Sequence, residues 1–155
     1  MPGEEGTMSE PEIRLERPCS VPVAQLWDTL VCPQLWWGEA VRLEPTTGGL
    51  FHEPWRDGAG QHHTRGEVLE FLPPRCLVLS WRDDDWTFGT EVRFSLAPAG
   101  QGSLLKLRHS GWHAAPADRR DQLVEDHRTG WSYHLGNLTA CAERGTSEPI
   151  TGGQE

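Results

Sequence analysis

Over residues 66–112 the hydrophobic and polar positions alternate with a period of two, in runs that read as four successive strands. Leu77, Leu79 and Trp81 share one face with Val78, Ser80 and Arg82 between them, and Val92, Phe94 and Leu96 alternate with Glu91, Arg93 and Ser95. Beyond Asp118 the period changes. Leu123, Val124, His127, Trp131, Leu135, Leu138 and Ala142 recur in steps of three and four, which places them along one side of a single long helix. A sheet with one apolar face and a helix with one apolar stripe must bury these surfaces against each other, and a curved sheet closing on one helix encloses a pocket.

Upstream, Ile13 and Leu15 alternate with charged residues over 12–17 as a short strand. Pro22 then opens a helix carrying Val23, Leu26, Trp27 and Leu30, and a second short helical turn holds Leu35, Trp36 and Trp37 before Gly38. Strands are predicted at 41–44, 50–56, 63–71, 76–82, 87–96 and 104–112, separated by Gly48-Gly49, the RDGAGQ loop, Pro73-Pro74, the Asp83-Asp84-Asp85 turn and residues 98–102. Pro116 precedes the last helix, with Asp118 and Asp121 suited to the positive end of its dipole. The expected class is α+β, with about six or seven antiparallel strands, two short helices after the first strand and a long final helix. Residues 1–10 and 145–155 are rich in Gly, Glu, Ser and Thr and are expected to be disordered tails around one domain at 11–144.

Charge narrows the partners. A formal net charge of -9 leaves no basic stripe for a phosphate backbone, and Arg119-Arg120 is flanked by Asp118 and Asp121, so nucleic acid is not expected. No apolar stretch approaches the roughly 20 residues that span a bilayer, and no signal-peptide pattern opens the chain. A cytoplasmic protein without membrane partners is expected. Cys19, Cys32, Cys76 and Cys141 are widely spaced and form no CxxC pair, which fits reduced thiols. The chain has no GxSxG elbow, GxGxxG or P-loop, and no cofactor is expected.

The side chains that could carry chemistry lie on the predicted inner faces. Eight tryptophans is a heavy load for one domain, and large flat rings that interlock imperfectly leave voids that hold apolar ligands. Glu53 falls in phase with Phe51 and Trp55, so it points inward, where burial raises a carboxyl pKa and suits it to act as acid, base or anchor. It can equally reach solvent or pair with Arg65 across the hairpin. His109 is in phase with Leu105 and Leu107, and His127 and His134 lie near the apolar stripe of the last helix. The two helical histidines are two turns apart, about 10 Å, too far to share one ion, and no metal site is expected. For His109 a structural hydrogen bond stands beside an acid–base role. His62-His63 and the Asp triplet read as solvated turns.

Read together, VPVAQLWDTL with WW after it, GG and F at Gly48, Gly49 and Phe51, DGAG, GEVLEFLPPRCLVLSW, TEVRFSL, LLKLRHSGW and HRTGWSYHLGNL stand in an order that resembles the START-like (SRPBCC, helix-grip) superfamily. More narrowly, residues 13–143 resemble bacterial proteins of the family of homologues of the activator of heat-shock-protein-ninety ATPase. The resemblance implies a helix-grip fold, but only a short acidic segment stands where the eukaryotic activators carry a chaperone-binding domain. Binding of a small apolar or aromatic molecule between sheet and last helix is therefore expected, with Phe51, Glu53, Trp55, Val68, Trp81, Phe94, His109, His127, Trp131 and Leu135 as the lining residues. One alternative is a polyketide cyclase- or aromatase-like enzyme with Glu53 and His109 as its acid–base pair. Another is a chaperone-linked interaction module marked by an exposed patch of Trp36, Trp37 and Trp112. A homodimer is compatible with either.

Overall fold

The computed structural model describes residues 11–152, with side chains through residue 145. Its strands are β1 (Ile13–Cys19), β2 (Arg42–Leu43), β3 (Leu50–Asp57), β4 (Gly60–Leu72), β5 (Cys76–Asp83), β6 (Thr90–Ala99) and β7 (Gly102–Ser110). They form one antiparallel sheet in the order β1-β7-β6-β5-β4-β3-β2, each beside its sequence neighbour except β1, which crosses to β7. Helix α1 (Val23–Leu30) and a 3-10 turn at Pro33–Leu35 make the link from β1 to β2, and α2 (Ala117–Gly152) follows β7. This is the helix-grip fold. The second expected helix is only the 3-10 turn. The tail expected at 1–10 lies outside the described residues, and the backbone from 145 to 152 continues α2.

The sheet curls because β4 bends over β5. At Gly66 an added Cβ would collide with the Ser80 carbonyl, and the register slips by one residue between Val68 and Glu70. The phase of α2 follows the sequence stripe: Val124, Trp131, Leu135, Leu138 and Ala142 are buried, whereas Glu125, Asp126, Ser132 and Tyr133 are exposed. Burying this stripe on the sheet supplies the stability that propensity alone cannot give a single helix. The connection into α2 is fixed by Arg120, which donates to the carbonyls of Trp112 (3.0 Å), His113 (3.0 Å) and Ala115 (2.7 Å).

Several strand ends differ from their predicted positions, and two of these shifts have a visible cause. β6 begins at Thr90 because residues 84–89 form a turn, closed by Trp86 N donating to the Asp83 carbonyl (3.0 Å) and Arg82 Nε to the Trp86 carbonyl (3.1 Å). β7 ends at Ser110 because Gly111 has a φ of 97°, after which the Trp112 indole folds back to donate to the His109 carbonyl (3.2 Å).

Candidate functional site

The concave face is unevenly filled. At the end facing Ala142, α1 inserts Leu26, Trp27 and Leu30 into the groove and is tied to α2 by Gln25 Nε2 donating to the Ala142 carbonyl (3.2 Å). Under the first half of α2, facing β3, β4 and β5, a cavity of about 530 Å³ remains. This is within the usual range for small-molecule sites. Exposed Asp57, Asp85, Arg119 and Asp126 mark its mouth.

Indoles form its walls. Trp37, Trp81 and Trp131 pack together, with ring centroids 5.3 Å apart for Trp37 and Trp131 and 5.2 Å for Trp81 and Trp131. Trp55 stacks on His62 at 4.4 Å, and Trp86 lines the remaining side, stacked on Phe88 at 4.5 Å. On α2 the lining positions His127, Gly130, Trp131 and His134 share one face by their spacing of three, one and three. A Cβ added at Gly130 would meet nothing within 4 Å, so this position leaves the cavity open.

A row of polar groups crosses the sheet side. Glu53 on β3 pairs in register with Thr64 on β4, and Thr64 with Asp83 on β5. Trp55 Nε1 donates to Thr64 Oγ1 (2.9 Å), and the Thr64 hydroxyl donates to Asp83 Oδ1 (2.6 Å). Burial pushes the Glu53 carboxyl from its ordinary 4.5 up to about 7, opposed by the Trp37 indole N–H and reinforced by the Asp83 charge. That Trp37 N–H is buried and faces Glu53, but the two do not meet in hydrogen-bonding geometry. Burial also raises the Asp83 pKa, against the hydrogen bond from Thr64.

The helical histidines across the cavity are neutral bases. Burial lowers the His127 pKa; its Nδ1–H donates to the Leu123 carbonyl (2.9 Å), which leaves Nε2 to accept from Trp81 Nε1 (3.3 Å). Burial lowers His134 to about 4, and its Nδ1 has no partner. Among the described residues no three His, Cys, Asp or Glu side chains are grouped to hold a metal ion.

Of the residues expected to line a site, Glu53, Trp55, Trp81, His127 and Trp131 face this cavity. Phe51, Val68, Phe94, His109 and Leu135 instead belong to packed core. Phe51 sits behind the indole wall, 5.1 Å from the Trp37 ring, and Phe94 meets Trp131 edge-on. His109 is 0% exposed and fully bonded. Trp131 Nε1 donates to its Nδ1 (3.0 Å), so its Nε2–H donates to Thr90 Oγ1 (2.8 Å), whose hydroxyl donates to the Trp81 carbonyl (3.0 Å). Burial first, and the neighbouring His127 second, hold its pKa well below the ordinary value. With both ring nitrogens occupied and no access to the cavity, His109 is a structural residue and forms no acid–base pair with Glu53.

The sequence reading missed Asp83, His62 and Trp86. Asp83 was assigned to a solvated triplet, yet it ends β5 at 8% exposure; its shared parity with Trp81 was the available signal. His62 is half-buried against Trp55, and its Nε2–H donates to Asp57 Oδ1 (2.8 Å), which raises its pKa. The exposed patch that would mark an interaction module is not formed: Trp36 and Trp112 are buried and Trp37 is part of the cavity wall.

Residues 20–143 match the family model described as Activator of Hsp90 ATPase homolog 1-like protein. No curated protein matches the chain in sequence. Among solved structures, protein MLL2253 from Mesorhizobium loti is similar over 86% of this chain and 98% of its own, at 25% identity and a TM-score of 0.68. CalU16 from Micromonospora echinospora is 24% identical over 84% of this chain and 75% of its own, with a TM-score of 0.64. The Aha1 dimer from Colwellia psychrerythraea, a solution structure, is 17% identical over 86% of this chain and 96% of its own, with a TM-score of 0.68.

Proposed function

The chain belongs to the Activator of Hsp90 ATPase homolog 1-like family, and we propose that it binds a small, flat, largely apolar molecule between sheet and final helix without converting it. The observation that carries this reading is the cavity of about 530 Å³ walled by five indoles, Trp37, Trp55, Trp81, Trp86 and Trp131. Aromatic walls with a few convergent polar groups are the usual composition of such sites. A titration with naphthalene, followed by intrinsic tryptophan emission, tests it. Saturable quenching at one probe per chain is expected; a linear, unsaturable response would refute binding in the cavity.

One feature favours a second reading, catalysis on the bound molecule. A carboxyl with a pKa of about 7 inside a cavity is matched to general acid–base work near neutrality. In that reading Glu53 transfers the proton and Asp83, rather than His109, holds the second charge. Turnover of a bound compound that disappears in Glu53→Gln while binding persists would favour it over binding alone.

No helix among the described residues is long and apolar enough to cross a membrane. A cytoplasmic location and a homodimer, the assembly of the Colwellia protein, are further parts of the proposal. Native mass spectrometry reports subunit stoichiometry and any co-purified small molecule together.

A further inference from the structure

Given the binding function proposed above, the charge of the cavity narrows the class of ligand. Glu53 and Asp83 face it from one cross-strand row, with Thr64 on the strand between them. Two inter-strand spacings place their backbones about 10 Å apart, with both side chains on the cavity face of the sheet. Among the described residues neither carboxyl forms an ion pair with Lys or Arg. Buried carboxylates without a cationic partner are costly, and two in one site also repel each other.

No group in the wall is bonded to either as a cation, although the His127 imidazole acts on Asp83 electrostatically. His127 is the nearest base on α2, but its Nδ1–H is engaged by the Leu123 carbonyl and its Nε2 by the Trp81 indole. His134 is half-buried, and burial keeps it neutral at pH 7. His62 is bonded to Asp57. Arg119 lies exposed at the mouth, where Asp57, Asp85 and Asp126 outnumber it. An anionic guest would therefore enter against the prevailing charge. A cation would relieve it and would also lie against indole faces, whose quadrupoles attract positive charge.

We propose that the ligand is an organic cation, whose ammonium group sits between the Glu53 and Asp83 carboxylates and whose apolar part lies along Trp37 and Trp131. The aromatic wall recognises its shape, and the two carboxylates select its charge. Asp83 is held in place for this by the Thr64 hydroxyl, and Thr64 in turn by the Trp55 indole.

The test compares three probes of similar size at pH 8, where Glu53 is ionised: benzyltrimethylammonium, its neutral carbon isostere neopentylbenzene, and phenylacetate. Binding is read from tryptophan emission. The ammonium is expected to bind at least tenfold more tightly than neopentylbenzene, or about 1.4 kcal/mol, with phenylacetate weakest. Glu53→Gln should remove most of that preference while changing neopentylbenzene affinity less than twofold. Asp83→Asn, which keeps an oxygen to accept from Thr64, is the second variant and should act in the same direction. Equal affinities for ammonium and isostere, or a preference for phenylacetate, would overturn the cation assignment and leave the apolar cavity standing. Absence of saturable binding by all three would overturn both.

Discussion

His109 and Glu53 both point inward from the same sheet, yet their surroundings differ in kind. Around His109 every polar atom has a partner: Trp131, His109, Thr90 and the Trp81 carbonyl form one directed chain of hydrogen bonds, sealed by Trp112 at 4.4 Å from the imidazole. Around Glu53 the carboxyl faces open volume, the Trp37 N–H that faces it closes no hydrogen bond, and His134 Nδ1 is buried without a partner. A fully satisfied buried network specifies the packing of a core. Unsatisfied polar groups beside a cavity are what a bound molecule would complete. Burial alone does not distinguish the two surroundings; the balance of donors and acceptors does.

The largest expected effect tests the satisfied side. Trp131→Ala removes both the indole packing and the donor to His109, and should lower stability by about 3–5 kcal/mol. A loss below about 1 kcal/mol in urea unfolding would mean that the relay contributes little and that the contrast is misdrawn.

The next effect concerns Glu53 and pH. Its pKa is raised in the folded state from 4.5 to about 7. The folded state thus holds the proton more tightly, and the contribution of this group to stability is greatest below about 4.5 and is lost as pH rises through 7. Relative to Glu53→Gln, the wild-type chain should lose on the order of 3 kcal/mol between pH 4.5 and pH 8. His109, His127 and His134, whose pKa values are lowered, weaken the fold as pH falls below 6.5, an effect of opposite sign that cancels in the comparison. Parallel pH profiles for the two proteins would place Glu53 in ordinary solvent.

The smallest effect is at Gly130. Its helical position and the open space around it mean that Gly130→Ala should raise stability by about 0.5–1 kcal/mol. A decrease in the urea midpoint would show that the cavity wall has no room at this point.

Much of this was legible in the chain. The alternation of Leu77, Leu79 and Trp81, and the helical phase of Trp131, Leu135 and Leu138, depend only on local periodicity, and the inward direction of Glu53 followed from its parity with Phe51 and Trp55. What was not legible depended on distant packing. The partners of His109 lie 19 and 22 positions away, so its satisfaction could not be read from its own strand. Which end of the groove stays open is decided by where α1 inserts Leu26, Trp27 and Leu30 and by Trp37, whose indole stands in front of Phe51; Phe51, Val68, Phe94 and Leu135 are packed in the core instead. Asp83 was obscured by composition: a run of three aspartates reads as solvated, although its first member ends a strand.

The central claim is that the space beside Glu53 is a binding site, and paired glycine substitutions on α2 test it most directly. Gly130 lines the cavity, whereas Gly136 on the same helix is exposed and also has nothing within 4 Å of an added Cβ. Both accept leucine without a clash at Cβ. Naphthalene titrations followed by tryptophan emission should give wild-type affinity in Gly136→Leu and a loss of tenfold or more in Gly130→Leu, with both variants melting cooperatively. Equal affinity in the two variants would contradict the account.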